Sequence, residues 1–188
     1  EIGDRAFSGA SALTSLSIPS SVTSIGFAAF YGASALIELV IPATVTSLGH
    51  SVFRGASSLG LVTFGDGITS IGDGLFYGAS GLTSIVIPDS VTNIGSQAFY
   101  ETGLTSLIIP ESVISIGNKS FYKAPIASLT IGKSLLEWNT TNDNDAFYNI
   151  CSTLTSLDIS ASKIPNSAFY GCSKLASLTL GDTVTEIG

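Results

Sequence analysis

Apolar residues recur along this chain with one long period. The sentence L-x-x-L-x-I-P-x-x-V-x-x-I-G-x-x-A-F-Y-x-A-x-x is spelled out from Leu13 to Ala35 and begins again at Leu36. A phenylalanine marks the same place in each copy: Phe7, Phe30, Phe53, Phe76, Phe99, Phe121, Phe147 and Phe169, at intervals of 23, 23, 23, 23, 22, 26 and 22 residues. Within a copy the short-range pattern changes character. In Leu82–Pro88, LTSIVIP, the apolar residues alternate, which predicts a strand with Ile85 and Ile87 on one face. Pro88 ends it, having no N–H for a ladder. Ser90–Gly95, SVTNIG, predicts a second short extended piece ending at a glycine suited to positive φ. Ser96–Gly103, SQAFYETG, predicts a short helical turn with Phe99 inward.

One such unit cannot bury its own apolar side, whereas stacked units cover one another. The expected architecture is therefore a solenoid of about eight repeats, its parallel strands ~4.8 Å apart and its length on the order of 40 Å. The Leu, Ile, Val and Phe rows form its core. Leu82–Phe99, LTSIVIPDSVTNIGSQAF, closely resembles the BspA-like, or Treponema-type, leucine-rich repeat in its I-P, I-G and A-F positions and in its length. The resemblance runs over essentially the whole chain. It implies a β-rich α/β repeat protein: a right-handed leucine-rich-repeat solenoid with parallel strands, short helical turns and ~23-residue repeats. It also implies an extracellular or cell-surface protein that adheres to partners on another cell or matrix. The family's frequent cysteine after the Phe is replaced here by Ala10, Ala33, Ala56, Ala79, Thr102, Ala124 and Ile150, and is kept only at Cys172. Glu1-Ile2-Gly3 continues the repeat left open by Thr185-Glu186-Ile187-Gly188, so the expectation is a single solenoid over residues 1–188, an uncapped fragment of a longer array.

Charge narrows the partners. Only 11% of residues are charged and the net charge is -7. No basic stripe exists to neutralise phosphates, which argues against nucleic acid and against an anionic membrane surface. No apolar run approaches the ~18 residues of a spanning helix. His50, the single histidine, sits in a variable slot without a nucleophile or orienting acid in a recognisable motif, so no enzyme and no cofactor is expected.

Two outward rows are candidate binding surfaces. The first lies on the concave strand face, through which leucine-rich repeats generally bind partners: Ser17, Val40, Thr63, Val86, Ile108, Thr130, Asp158 and Thr179, with Leu61 one row over. Val40, Leu61, Val86 and Ile108 are apolar where solvent is expected; either they form a docking patch or they reflect the strand preference of branched residues. The second is an aromatic stripe, Tyr31, Tyr77, Tyr100, Tyr122, Tyr148 and Tyr170, each following a repeat Phe. It would suit a glycan or peptide, although ring stacking along the solenoid is the simpler account. A threonine row (Thr23, Thr46, Thr69, Thr92, Thr185) is explained by strand preference.

The repeat breaks between residues 138 and 169. Trp138 stands in an Ile slot, four residues are inserted before Phe147, and the next unit is two residues short. Asn142, Asp143, Asn144 and Asp145 supply oxygen ligands in the 139–146 insert, but their spacing fits no calcium motif, so a solvated bulge is expected and no metal. Cys151 and Cys172 occupy slots that differ by one position and are expected to be two buried thiols rather than a disulfide. Asn118-Lys119-Ser120 and Asn139-Thr140-Thr141 are glycosylation sequons. The functional expectation is a non-enzymatic adhesion module for protein or glycan partners. The alternative is a filament or spacer that self-associates along its axis through uncapped repeats.

Overall fold

The computed structural model describes residues 1–138, 145–147 and 149–188, with only the backbone of Glu137. Nearly every element is a short strand. The alternating stretch of each repeat forms the first ladder: β2 (Glu38–Ile41), β4 (Leu61–Phe64), β7 (Ser106–Ile109), β9 (Ser128–Ile131), β11 (Ser156–Ile159) and β13 (Ser177–Leu180). The I-G stretch forms the second: β1 (Ser24–Ile25), β3 (Ser47–Leu48), β5 (Ser70–Ile71), β6 (Asn93–Ile94), β8 (Ser115–Ile116), β10 (Glu137–Trp138), β12 (Lys163–Ile164) and β14 (Glu186–Ile187). All pairings are parallel and join equivalent positions, as in Leu107↔Leu129, Leu129↔Leu157 and Leu157↔Leu178. The coil makes about seven turns of ~23 residues, the seven intervals between eight phenylalanine positions. Between the ladders the prolines act as expected: the carbonyls of Pro42, Pro88 and Pro110 accept the N–H of the residue three positions on, at 2.9, 3.0 and 3.2 Å.

The third side is not helical. In place of the predicted helical turn the chain alternates two kinds of hydrogen bond. Tyr100 N–H donates to Gln97 O at 3.2 Å and Thr102 N–H to Phe99 O at 3.3 Å, closing tight turns. Gln97, Phe99 and Glu101 instead donate along the axis to Asn118, Ser120 and Tyr122 of the next turn, each at 2.8 Å. Positive φ at Gln97 and Glu101 (56° and 55°) turns those amides out of a helical path. Among the described residues the only helical element is a 3-10 turn at Ile150–Ser152.

This third ladder sets the core. Consecutive phenylalanine rings stack with centroids 5.3 to 5.9 Å apart from Phe7 through Phe147, nearly parallel throughout. Phe30, Phe53, Phe76, Phe99 and Phe121 are fully buried in one continuous apolar cluster. Burial of such a side chain contributes about 1.5–3 kcal/mol. Ser120 replaces the small apolar residue before the Phe, and its hydroxyl donates to Gly95 O at 2.8 Å and Gly117 O at 2.6 Å, so it is buried without an unmet donor.

The I-G glycine has a different duty from the one expected. Gly95 is not at positive φ; positive φ falls at the later glycines Gly32, Gly55 and Gly78. A Cβ on Gly95 would meet the Asp73 carboxyl and lie 2.7 Å from the Asp73 backbone nitrogen. The glycine is needed because the preceding turn's backbone passes that close.

The irregular stretch is closed by large side chains and a covalent bond. Trp138 is buried, its ring edge-on to Phe147 at 6.1 Å and 6.0 Å from Phe169. Phe147 and Phe169 are the most widely separated pair of the stack, at 6.2 Å. Cys151 and Cys172 form a disulfide, with Cα atoms 4.2 Å apart, which corrects the expectation of free thiols. The 3-10 turn explains it: Asn149 at φ 73° opens a turn absent from the regular units, and Cys151 inside it faces the next coil. Asp145 is half-buried, and its Oδ1 accepts the N–H of Phe147 at 2.7 Å. Burial raises its pKa to about 6, against the lowering effect of that bond.

Two predictions follow from this packing. Gly95→Ala should cost about 1–3 kcal/mol through overpacking, whereas Gly3→Ala, in the equivalent slot with nothing within 4 Å, should be nearly neutral; urea unfolding of the two variants checks this. At Asp145 the carboxylate is disfavoured in the folded state, so its penalty is full above the folded pKa of about 6 and vanishes as pH falls toward the unfolded value near 3.8. Asp145→Asn should therefore stabilise the protein at pH 7 by about 1 kcal/mol, a figure reduced for solvent screening of a partly exposed group, and its advantage should disappear by pH ~4 in melts across that range.

Candidate binding faces

The strand face begins with the alternation of the first ladder. β2 and β7 bury every second side chain, which leaves Glu38 and Val40, and Ser106 and Ile108, outward. Val40, Leu61, Val86 and Ile108 are 57%, 55%, 80% and 66% exposed. Register sets Val40 beside Thr63 and Glu38 beside Leu61, and Ile108 beside Thr130. Asp158 continues the row between Thr130 and Thr179 and is half-buried. Ile37, 60% exposed, was missed by sequence reasoning; its carbonyl accepts the Gly60 N–H at 2.9 Å, which places it against the Leu61 turn. The signal was present, since equivalent slots hold Thr14, Gly60, Thr83 and Thr105.

The strand expected over Leu82–Pro88 keeps its alternation, with Val86 outward and Ile87 inward, but it is not part of a ladder. The first ladder divides there into β2–β4 and β7–β9–β11–β13. Thr105 N–H donating to Thr83 O at 3.2 Å bridges the opening. The opening lies beside Phe64, which occupies the slot of Ile41 and meets Phe76 edge-on at 6.0 Å. At the turn that ends these strands stand Asp66, Asp89 and Glu111, all exposed. Glu111 pairs with Lys133 of the next turn at 2.6 Å.

The tyrosine row is a brace. Tyr77 and Tyr100 stack at 4.3 Å, and Tyr100 and Tyr122 at 4.6 Å. Arg54, in the tyrosine slot of its own repeat, caps Tyr77 at 3.9 Å, and Lys123 lies 5.2 Å from the Tyr122 centroid. Lys123 also donates to Glu101 at 2.8 Å, which raises its pKa. Desolvation, and then the neighbouring Tyr77 and Glu101, raise that of Tyr100. These three half-buried rings cover one another's faces and turn their edges to solvent. Tyr31 and Tyr170 are exposed; Tyr148 lies outside the described residues.

The remaining candidates resolve into scaffold. His50 Nδ1 accepts the N–H of Asp73 at 3.0 Å, Asp73 Oδ1 accepts that of Ser96 at 2.8 Å, and Asp4 Oδ1 accepts that of Phe27 at 2.7 Å. The residue after I-G thus caps the following turn, and the lone pair a base would need on His50 Nδ1 is occupied. The hydroxyls of Thr46 and Thr92 donate to the carbonyls of Thr23 and Thr69. In the Asn118 sequon Ser120 is buried; the Asn139 sequon, with Asn142, Asp143 and Asn144, lies outside the described residues. Among the described residues no three His, Cys, Asp or Glu side chains gather into a metal site. An apolar cavity of about 400 Å³ at the last turn, lined by Leu157, Ile159, Ile164, Phe169, Leu178 and Ile187, continues the core rather than indenting a face. No described helix is long and apolar enough to cross a membrane.

A comparison with curated proteins returned no match. Among solved structures the chain is similar to a leucine-rich repeat protein of Bacteroides ovatus at 30% identity and TM-score 0.66, covering 100% of this chain and 54% of that one. This chain therefore spans about half the length of that relative. It shares its fold with the leucine-rich repeat protein TpLRR of Treponema pallidum at 23% identity and TM-score 0.55, covering 89% and 67% of the two chains. The BspA type leucine rich repeat region matches in six copies across residues 1–126 and 140–188. With the ladders and the phenylalanine stack in place, these matches make the chain a member of the BspA-type leucine-rich repeat family.

Proposed function

We propose that this solenoid is a non-enzymatic binding module that works outside the cell and engages a protein or glycan partner through its first-ladder face. The observation that carries this reading is the exposed apolar row Val40, Leu61, Val86 and Ile108, with Ile37 beside it. Such a run on one face of a folded chain is characteristic of a docking surface, unlike apolar residues scattered singly. The disulfide supports the compartment, because such bonds persist in oxidising surroundings. The occupied Nδ1 of His50 supports a non-catalytic role. The tyrosine edge is a weaker candidate, because its inner rings spend their faces on one another.

The test is a binding screen of the immobilised chain against extracellular-matrix proteins and a glycan array. Any ligand retained should lose about tenfold or more in affinity with Val86→Asp/Ile108→Asp, two outward substitutions that leave the fold intact, and should be insensitive to Tyr31→Ala. Retention unchanged by the ladder variant, or no ligand at all, would overturn the reading.

A further inference from the structure

We propose that the partner of the first-ladder face is a cationic polypeptide, a segment whose apolar side chains are bordered by Lys or Arg. This rests on the ladder face being the binding surface and adds the chemistry of its occupant.

The centre of the face selects apolar groups. From Val40 to Ile108 the row crosses three turn spacings, roughly 14 Å, the span of a few consecutive side chains of one polypeptide segment. Val40, Leu61, Val86 and Ile108 offer no side-chain hydrogen-bonding group, and Thr63, between Val40 and Val86, offers one hydroxyl. A sugar needs hydroxyl partners and an open aromatic face. The stacked tyrosines of this protein lie on a different edge, after the repeat phenylalanines.

The border selects positive charge. Glu38 is outward on β2 and registers against Leu61. Asp158 stands in the same outward row two turns beyond Ile108. Asp66 and Asp89 follow the outward residues Thr63 and Val86 by three positions, at the turn that closes each strand. The Glu111–Lys133 pair shows that side chains in this turn row reach from one coil to the next. It also uses the cation nearest the border, whereas no ion pair engages Glu38, Asp66 or Asp89 among the described residues. The apolar row is therefore framed by carboxylates at both ends and along one side. Arg54, Lys119 and Lys123 sit on the tyrosine edge, away from this frame. A partner bringing Lys or Arg to the border pairs with carboxylates already in place, and the chain's net charge of -7 steers it inward. An acidic partner would meet repulsion at the border, and a strongly hydroxylated one would find a single hydroxyl, that of Thr63, within the row from Val40 to Ile108.

The test uses fluorescent peptides of equal length in which Leu alternates with Lys, with Glu or with Ser, together with a chitin oligosaccharide, read by anisotropy at low and high salt. The Lys/Leu peptide should bind about tenfold or more tightly than the Ser/Leu peptide and weaken as salt rises, and the Glu/Leu peptide should not bind. Its affinity should fall about fivefold or more with Glu38→Gln/Asp89→Asn and about tenfold with Val86→Ser/Ile108→Ser. Glu101→Gln/Glu186→Gln removes the same charge from other edges and should change it less than about twofold. Equal losses in the two charge variants would overturn the inference, since the attraction would then be diffuse. If the Ser/Leu peptide or the saccharide binds best and depends on Val86, the ladder-face reading stands and the cationic partner falls. If no probe's binding responds to Val86→Ser/Ile108→Ser, both fall. Each variant is exposed, and a matching thermal melt establishes that it is folded.

Discussion

The structure depends on one constraint: equivalent positions in successive coils must sit one backbone spacing apart on three sides at once. Two parallel ladders and the alternating turn side each supply hydrogen bonds along the axis. Because the turn side donates from the phenylalanine amides themselves, as with Phe30 N–H to Val52 O and Phe53 N–H to Leu75 O, both at 3.0 Å, ring spacing is dictated by backbone spacing. Flat rings stack at that separation, and the buried row before them must be apolar or satisfy itself, as Ser120 does. Gly95 obeys the same constraint from the backbone side.

Such a scaffold spends its inward residues on repetition and leaves its outward residues free to differ. Outward slots on the tyrosine edge have still been drawn into stability, with aromatic stacking, cation capping and the Lys123–Glu101 pair linking neighbouring coils. In three coils the slot after I-G is likewise committed to capping, by Asp4, His50 and Asp73. The first-ladder face is different. The hydroxyls of Thr105 and Thr155 reach carbonyls of the preceding coil, but four of its side chains are apolar and largely exposed. The face therefore carries a cost in solvent that a partner would relieve.

Where the period fails, at the insert before Phe147, the coil is held by other means. Trp138 fills volume between the rings of Phe147 and Phe169, and the Cys151–Cys172 bond ties the 3-10 turn to the coil that follows. Covalent closure there compensates for a less regular ladder, by the usual restriction of the unfolded chain.

Repetition made most of this fold legible in the sequence. The spacing of Phe7 through Phe169 carried the ~23-residue period, the alternation in LTSIVIP the inward and outward faces, and the I-P pairs the corner. The outward apolar residues Val40, Leu61, Val86 and Ile108 were legible for the same reason, since strand parity alone assigns their side. Contacts between coils were decided by the tertiary structure. Whether SQAFYETG closes as a helix depends on amides that find acceptors 21 residues ahead. The need for Gly95 comes from Asp73 in the preceding coil, the partner of Cys151 from a turn the period did not contain, and the duty of His50 from the amide of Asp73. The carboxylate frame of the ladder face has the same origin. Glu38, Asp66, Asp89 and Asp158 lie in four different repeats, and only the winding of the chain brings them around one apolar row.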